Sequence, residues 1–257
     1  MNTLNFFPQP MEIAFSLDAG AFSSDLFDVN PVMGQDQLLR NATVICFENV
    51  LIPFKWMTQQ LGLRPTVKGV QEAKERAMRI PYLQEPLARI EQFALQLLTT
   101  ISSRGPVCIL SEQSARFVEI LCQVFFPRLA YCLSNPQVLP SVQVIGAPKR
   151  FVTTSEKAMW RISIMQSLVR DRLFAGNSYL LADATAGRFG LIVVSPHNID
   201  TVACSKALEV APFLVPKSVR VANARNLPLD QFALHLQTMT QYLSEAAPCL
   251  TPFAVSV

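Results

Sequence analysis

Two histidines and six cysteines are all that 257 residues offer for metal or disulfide chemistry, and no two of the cysteines stand at C-x-x-C spacing. Two imidazoles are too few for a histidine-based metal site, so neither a metal nor any other cofactor is expected. Cys46 and Cys108 fall in expected core strands and Cys122 in an expected helix. With Cys132, Cys204 and Cys249 they read as reduced thiols of a non-oxidising compartment, mitochondrial or cytoplasmic.

Charge is scarce too. Charged residues make up 16% of the chain, against about 25% in ordinary domains, while 50% is hydrophobic and the mean hydropathy is +0.27. No run of about 18 uncharged apolar residues is present to span a hydrocarbon core. The greasiest pieces, "VCIL", "FGLIVV" and "APFLV", are of strand length. The surplus is therefore expected to meet other protein subunits of a multiprotein complex, and peripheral association with a membrane complex is compatible with that. The net charge of +3 comes without a Lys/Arg run carrying interleaved aromatics, so no nucleic-acid partner is expected. Residues 1–40 hold five acidic residues and one basic residue, Arg40, without a secretory apolar core, so neither a signal nor an arginine-rich transit segment is expected.

What is present falls into three parts. Residues 1–41 read as an extended N-terminal arm with prolines and no helical or strand period. Its Phe6, Phe7, Phe15, Phe22 and Phe27 are candidate interaction anchors. Residues 42–247 alternate strand and helix patterns, and 248–257 is a proline-containing tail. "TVICF", "PVCILS" and "SVQVIG" are continuous or β-branched enough for buried parallel strands. Leu87, Ile90, Ala94, Leu97, Leu98 and Ile101 recur at helical spacing, as do Phe117, Val118, Leu121, Val124 and Phe125 before Pro127. Ser155 is a candidate cap for a helix with Met159, Ile162, Met165 and Val169 on one face. "SYLLADATAGRFGLIVVS" suggests a hairpin-like pair, with 183–187 near its turn. "DTVACSKAL" is helical, "KSVRVA" a short strand, and the final helix buries Phe232, Leu236, Met239 and Leu243. This alternation predicts a three-layer, Rossmann-like α/β domain with a mostly parallel sheet.

Ligands of such sheets sit at the carboxyl ends of the strands. There the chain resembles the haloacid dehalogenase-like superfamily, closest to members whose first strand ends in aspartate–tryptophan–aspartate–aspartate–threonine–leucine with a proline and a tryptophan following. "CFENVLIPFKW" keeps Val50, Leu51, Pro53 and Trp56 in that frame. "VCILSEQSARFVE" resembles the second motif, "EKAMWRISIM" the third and "GLIVVSPHNIDTVA" the fourth. "KSVRVANARNLPLDQFALHLQTMTQYL" resembles the closing strand and helix. The resemblance spans about 42–247. It implies an aspartate nucleophile, an aspartate acid/base, a phosphate-holding hydroxyl and basic residue, and a Mg²⁺-holding acid. Those positions fall on Cys46, Glu48, Ser111, Arg161 (lysine in the family) and Pro196, respectively. Asp183 in "YLLADAT" would keep an acid in the fourth motif, but the elements after "VVSPHN" follow the family's order better.

These departures matter. Mg²⁺ requires oxygen ligands in near-octahedral array; a thiol is soft and proline has no side-chain oxygen. Losing the nucleophile of a concerted site costs ~10⁴–10⁶ in rate. Nor does "CFENVLI" supply the glycine-rich cradle and arginine of a cysteine phosphatase. Blander readings stand beside each candidate. Cys46 would be a buried inert thiol, Ser111 a cap for the next helix, Arg161 a surface or stacking residue beside Trp160. Glu48–Asn49 would make a turn and His197–Asn198 a polar loop. The expectation is a degenerate, non-catalytic member of the superfamily, a structural or accessory subunit. The alternatives are a phosphate-ester-binding pseudoenzyme and a weak Mg²⁺-dependent phosphatase.

Overall fold

Six strands build the core of the computed structural model, which describes residues 40–173, 189–221 and 226–256. They are β1 (Arg40–Cys46), β2 (Val107–Ser111), β3 (Val142–Gly146), β4 (Phe189–Ser195), β5 (Val215–Arg220) and β6 (Phe253–Ser256). The spatial order is β3-β2-β1-β4-β5-β6 and every neighbouring pair is parallel. This is the doubly wound order, and it reverses direction between β1 and β4. The phenylalanine anchors at 6, 7, 15, 22 and 27, and Asp183, lie outside the described residues.

The helices are α1 (Phe54–Leu61), α2 (Val67–Met78), α3 (Gln84–Ser102), α4 (Ala115–Phe125), α5 (Pro127–Ser134), α6 (Thr154–Leu168), α7 (Asn198–Lys206) and α8 (Leu229–Ala246). Strand side chains alternate between faces. Ile45, Ile109, Ile192 and Val194 join one core with α1–α5 and α8, while Val44, Leu110, Leu191 and Val193 join a second, smaller core with α6 and α7. The central strands are apolar on both faces because both faces are covered. None of the described helices is long and apolar enough to cross a membrane.

Several expectations need correction. The stretch between β1 and α3, for which no element was expected, holds two helices, α1 and α2. Pro127 ends α4 and also opens α5, where its missing N–H costs nothing. Thr153, not Ser155, caps α6: its side chain accepts from the Glu156 N–H at 3.1 Å. The buried face of α6 carries Arg161, Ile164, Met165 and Leu168, whereas Met159 is exposed. Polar pairing of Arg161, described below, draws that face round. β4 is flanked on both edges by parallel strands, and the other limb of the expected hairpin-like pair lies outside the described residues. Residues 253–256, expected within a tail, form the sixth strand, in register with β5.

Three buried polar groups tie elements together away from the strand tips. Glu91 on α3 accepts from the Arg128 and Leu129 N–H groups at 2.7 and 3.0 Å, capping the first turn of α5. On the α8 face of the sheet, the Lys217 ammonium donates to Asn41 Oδ1 and the Ala246 carbonyl, both at 3.2 Å, and to the Ala247 carbonyl at 2.5 Å. Asn41 Nδ2 donates to the same Ala247 carbonyl at 3.0 Å. A cation at the end of α8 complements the helix dipole, although burial pulls the Lys217 amine down to about 8. Replacing Lys217 with methionine leaves those acceptors short of donors. Urea unfolding is expected to show a loss of about 1–3 kcal/mol, and an unchanged midpoint would show that Lys217 does not anchor the end of α8.

Candidate functional site

The chain turns sharply as it leaves β1. Asn49 adopts a left-handed backbone (φ 59°), which asparagine tolerates, and its side chain accepts from the Lys55 N–H at 2.7 Å. Glu48 forms an isolated bridge with Ile52, and its side chain turns inward. At the end of β2, Ser111 is followed by a short loop into α4. The Ala147 N–H beyond β3 pins that loop by donating to the carbonyls of Ser111 and Gln113, each at 3.0 Å. Gly146 makes the approach feasible: a Cβ there would lie 2.1 Å from the Ala115 nitrogen. β4 ends at Ser195–Pro196, and α7 follows with Asp200 in its first turn.

These segments bring Cys46, Glu48, Ser111, Arg161 and Pro196 to one end of the sheet, at the point where the strand order reverses. The first four interact through their side chains, in two linked groups. In the first, Ser111 donates to Glu48 Oε1 at 2.5 Å and accepts from the Gln113 N–H at 3.0 Å, while the Glu112 N–H lies 3.2 Å from both Glu48 oxygens. Ser111 is therefore not the cap of α4; Ser114 is, accepting from the Phe117 N–H at 3.2 Å. Burial raises the pKa of Glu48, and hydrogen bonds from Ser111 and from backbone N–H groups only partly offset it.

The second group centres on Arg161, which is fully buried. Its guanidinium pairs with Asp200 Oδ2, donates to Glu112 Oε1 at 2.9 Å and lies 3.6 Å from Cys46 Sγ. Ser195 donates to the same Asp200 oxygen, and Cys46 Sγ is 3.3 Å from Ser195 Oγ. Arg161 is thus neither a surface residue nor chiefly a stacking one. Its central carbon is 6.0 Å from the Trp160 ring, which packs instead on Phe151 at 5.1 Å. Burial opposes the guanidinium charge, but Cys46 and Asp200 beside it outweigh that effect and raise its pKa. The Cys46 thiol is pushed up to about 12, first by burial and then by Asp200, with Arg161 acting in the opposite direction. A thiol in that range is not a nucleophile near neutrality.

At the rim, Glu112 Oε1 receives Lys157 Nζ and His197 Nε2 (2.8 Å) in addition to Arg161. Burial would raise the Glu112 pKa, yet the donors from His197, Lys157 and Arg161 hold it well below the usual carboxylate range. His197 also donates its N–H to Ser195 Oγ at 3.0 Å, so it belongs to the network and not to a detached polar loop.

The sequence reading missed Asp200, Glu112, Ser195 and Lys157. Asp200 had a signal: an acid in the first turn of the helix after β4 faces the strand tips. Glu112, directly after Ser111, had no distinguishing pattern. The Mg²⁺ that the resemblance implies does not fit these residues. Cys46 is a protonated soft donor, Pro196 has no side-chain oxygen, and the Asp200 carboxylate is held by a guanidinium. Among the described residues, no group of three or more His, Cys, Asp or Glu side chains is arranged to hold a metal ion. Compared with family models, curated proteins and solved structures, the chain matches none.

The Glu112 shift has a pH consequence. Its folded pKa lies below the ordinary 4.5, so its contribution to stability is complete above that range and is lost as the pH falls through it. A Glu112→Gln chain should be less stable than the native one by about 1–3 kcal/mol near pH 7. That gap is expected to narrow as unfolding is measured at pH values descending below 4.5; a constant gap would show that the Glu112 charge is not what the donors hold.

Proposed function

We propose that the chain is a non-catalytic α/β protein of the haloacid dehalogenase-like type, serving as a structural or accessory subunit of a larger protein assembly. The observation that carries this reading is the position of Arg161. Its buried guanidinium sits among the strand tips, paired with Asp200 and Glu112 beside Cys46. A fixed side-chain cation there pairs with the Asp200 carboxylate, and burial keeps the flanking thiol protonated, so neither is offered to a metal. The motif spacing over about 42–247 and the doubly wound strand order support the family assignment. The hydrophobic content of 50% and the five phenylalanines of the N-terminal arm support the subunit role.

Two measurements test the two halves of this reading. Hydrolysis of an aryl phosphate with Mg²⁺ should be the same for the native chain and a Cys46→Ala chain; native turnover that vanishes in the variant would overturn the non-catalytic half. In a gradient of gently lysed cells, the native chain should sediment with high-mass material and a chain lacking residues 1–41 should shift to low mass. Unchanged sedimentation would overturn the arm-dependent subunit role.

A further inference from the structure

Among the described residues β6 pairs only with β5, so its far edge presents open backbone N–H and C=O groups. Proteins keep such edges apart with charge, proline, a bulge or a covering element. β6 keeps an unbroken register with β5, and Phe253–Ser256 hold neither a charge nor a proline, although Pro252 stands just before them. The strand's length of four residues is what limits the contact it can make.

The surface beside this edge is uncharged as well. From residue 231 to residue 257 the sequence carries a single Asp, Glu, Lys or Arg, which is Glu245. A surface helix ordinarily lines its outer face with charge; α2 holds five charged residues among its 12. On α8, one flank packs on α3, where Arg89 lies 3.7 Å from Asp230. The flank turned away from α3 carries Gln231, His235, Thr238 and Tyr242 at helical spacing. Burial lowers the His235 pKa, so this residue adds no charge near neutrality. Tyr242, Phe253 and Val255 pack on the main core and are only partly buried by it. Missing charge with aromatic residues in its midst is the composition of an interface centre.

We propose that this edge is the interface of a homodimer, in which β6 strands of two copies pair antiparallel about a twofold axis and continue the sheet from one copy into the other. A second copy is the fitting occupant because the strand complements itself. A twofold axis sets like residues against like at its centre, which penalises any charge there, and β6 has none. With Ala254 at the axis, Phe253 lies opposite Val255 of the second copy, and Val255 opposite its Phe253. An aromatic ring against a β-branched side chain is a favoured cross-strand pair. It forms on the face where both side chains are already half-buried, while the small, exposed Ala254 meets its counterpart on the other face. The inference is independent of the subunit reading, which is tested through residues 1–41.

The test is sedimentation velocity of the purified full chain over a micromolar concentration series. The native chain should pass from monomer to twice the 28.6 kDa chain mass and stop there, because a twofold interface is closed. Ala254→Lys should keep the native circular dichroism, since residue 254 is exposed, yet weaken association at least tenfold by setting two ammonium groups across the axis. Ala254→Asp should do the same, and an equal mixture of the two variants should regain dimers as opposite charges meet. Hydrogen exchange of the native chain needs no variant: the amides of 253–256 should gain protection as concentration rises. A native chain that stays monomeric, that associates without limit, or whose 253–256 amides exchange independently of concentration would overturn the proposal. So would folded variants that dimerise like the native chain, or a mixture that stays monomeric.

Discussion

A guanidinium with no access to solvent is the constraint around which one end of this molecule is arranged. Taking such an ion out of water costs several kcal/mol unless its charge and its donors are answered. The Arg161 charge is answered by Asp200 from α7 and by Glu112 from the loop after β2, with Cys46 of β1 alongside, while its Nε is left without a hydrogen-bond partner. Each partner comes from a different segment, so satisfying one side chain fixes the relation of β1, β2, β4, α6 and α7. The same requirement explains why Asp200 is buried, why Ser195 turns its hydroxyl to that carboxylate, and why α6 presents a charged residue to the sheet.

The two ends of the sheet use buried polar groups differently. Lys217 and Asn41 terminate α8 through its last carbonyls, and Glu91 opens α5 through its first amides. Both solve a helix-end problem in which backbone groups must find partners. Around Arg161 the partners are side chains meeting side chains. Such an arrangement stabilises little relative to an apolar core of equal volume, but strongly penalises loss of one member.

The layered α/β architecture was legible because it rests on periodicity. Buried strands of continuous apolar residues and the helical spacing of Leu87 to Ile101 or Phe232 to Leu243 leave few alternatives. Cys46, Glu48 and Ser111 were legible as residues at or just past strand ends and Arg161 as a residue of the following helical pattern, and the fold brings the four together. The state of those residues was not. Whether Arg161 is a solvated cation or a buried one depends on Asp200 and Glu112, which are 39 and 49 residues away in sequence. The α6 face was misread for the same reason, since its apolar period favours Met159 over Arg161 until the ion pairs are known. β6 was missed because four residues near an edge carry too little pattern to separate a strand from a tail.

The central claim is that Arg161 and Asp200 sustain one another in the interior, and a double-mutant cycle in urea measures this directly. Arg161→Met alone and Asp200→Leu alone should each cost about 3–5 kcal/mol, because each strands a buried charge. The double variant should cost far less than the sum, giving a coupling of at least about 2 kcal/mol. Additive effects, with a coupling below about 0.5 kcal/mol, would mean that the guanidinium is not held by this carboxylate and that the account of the strand tips is wrong.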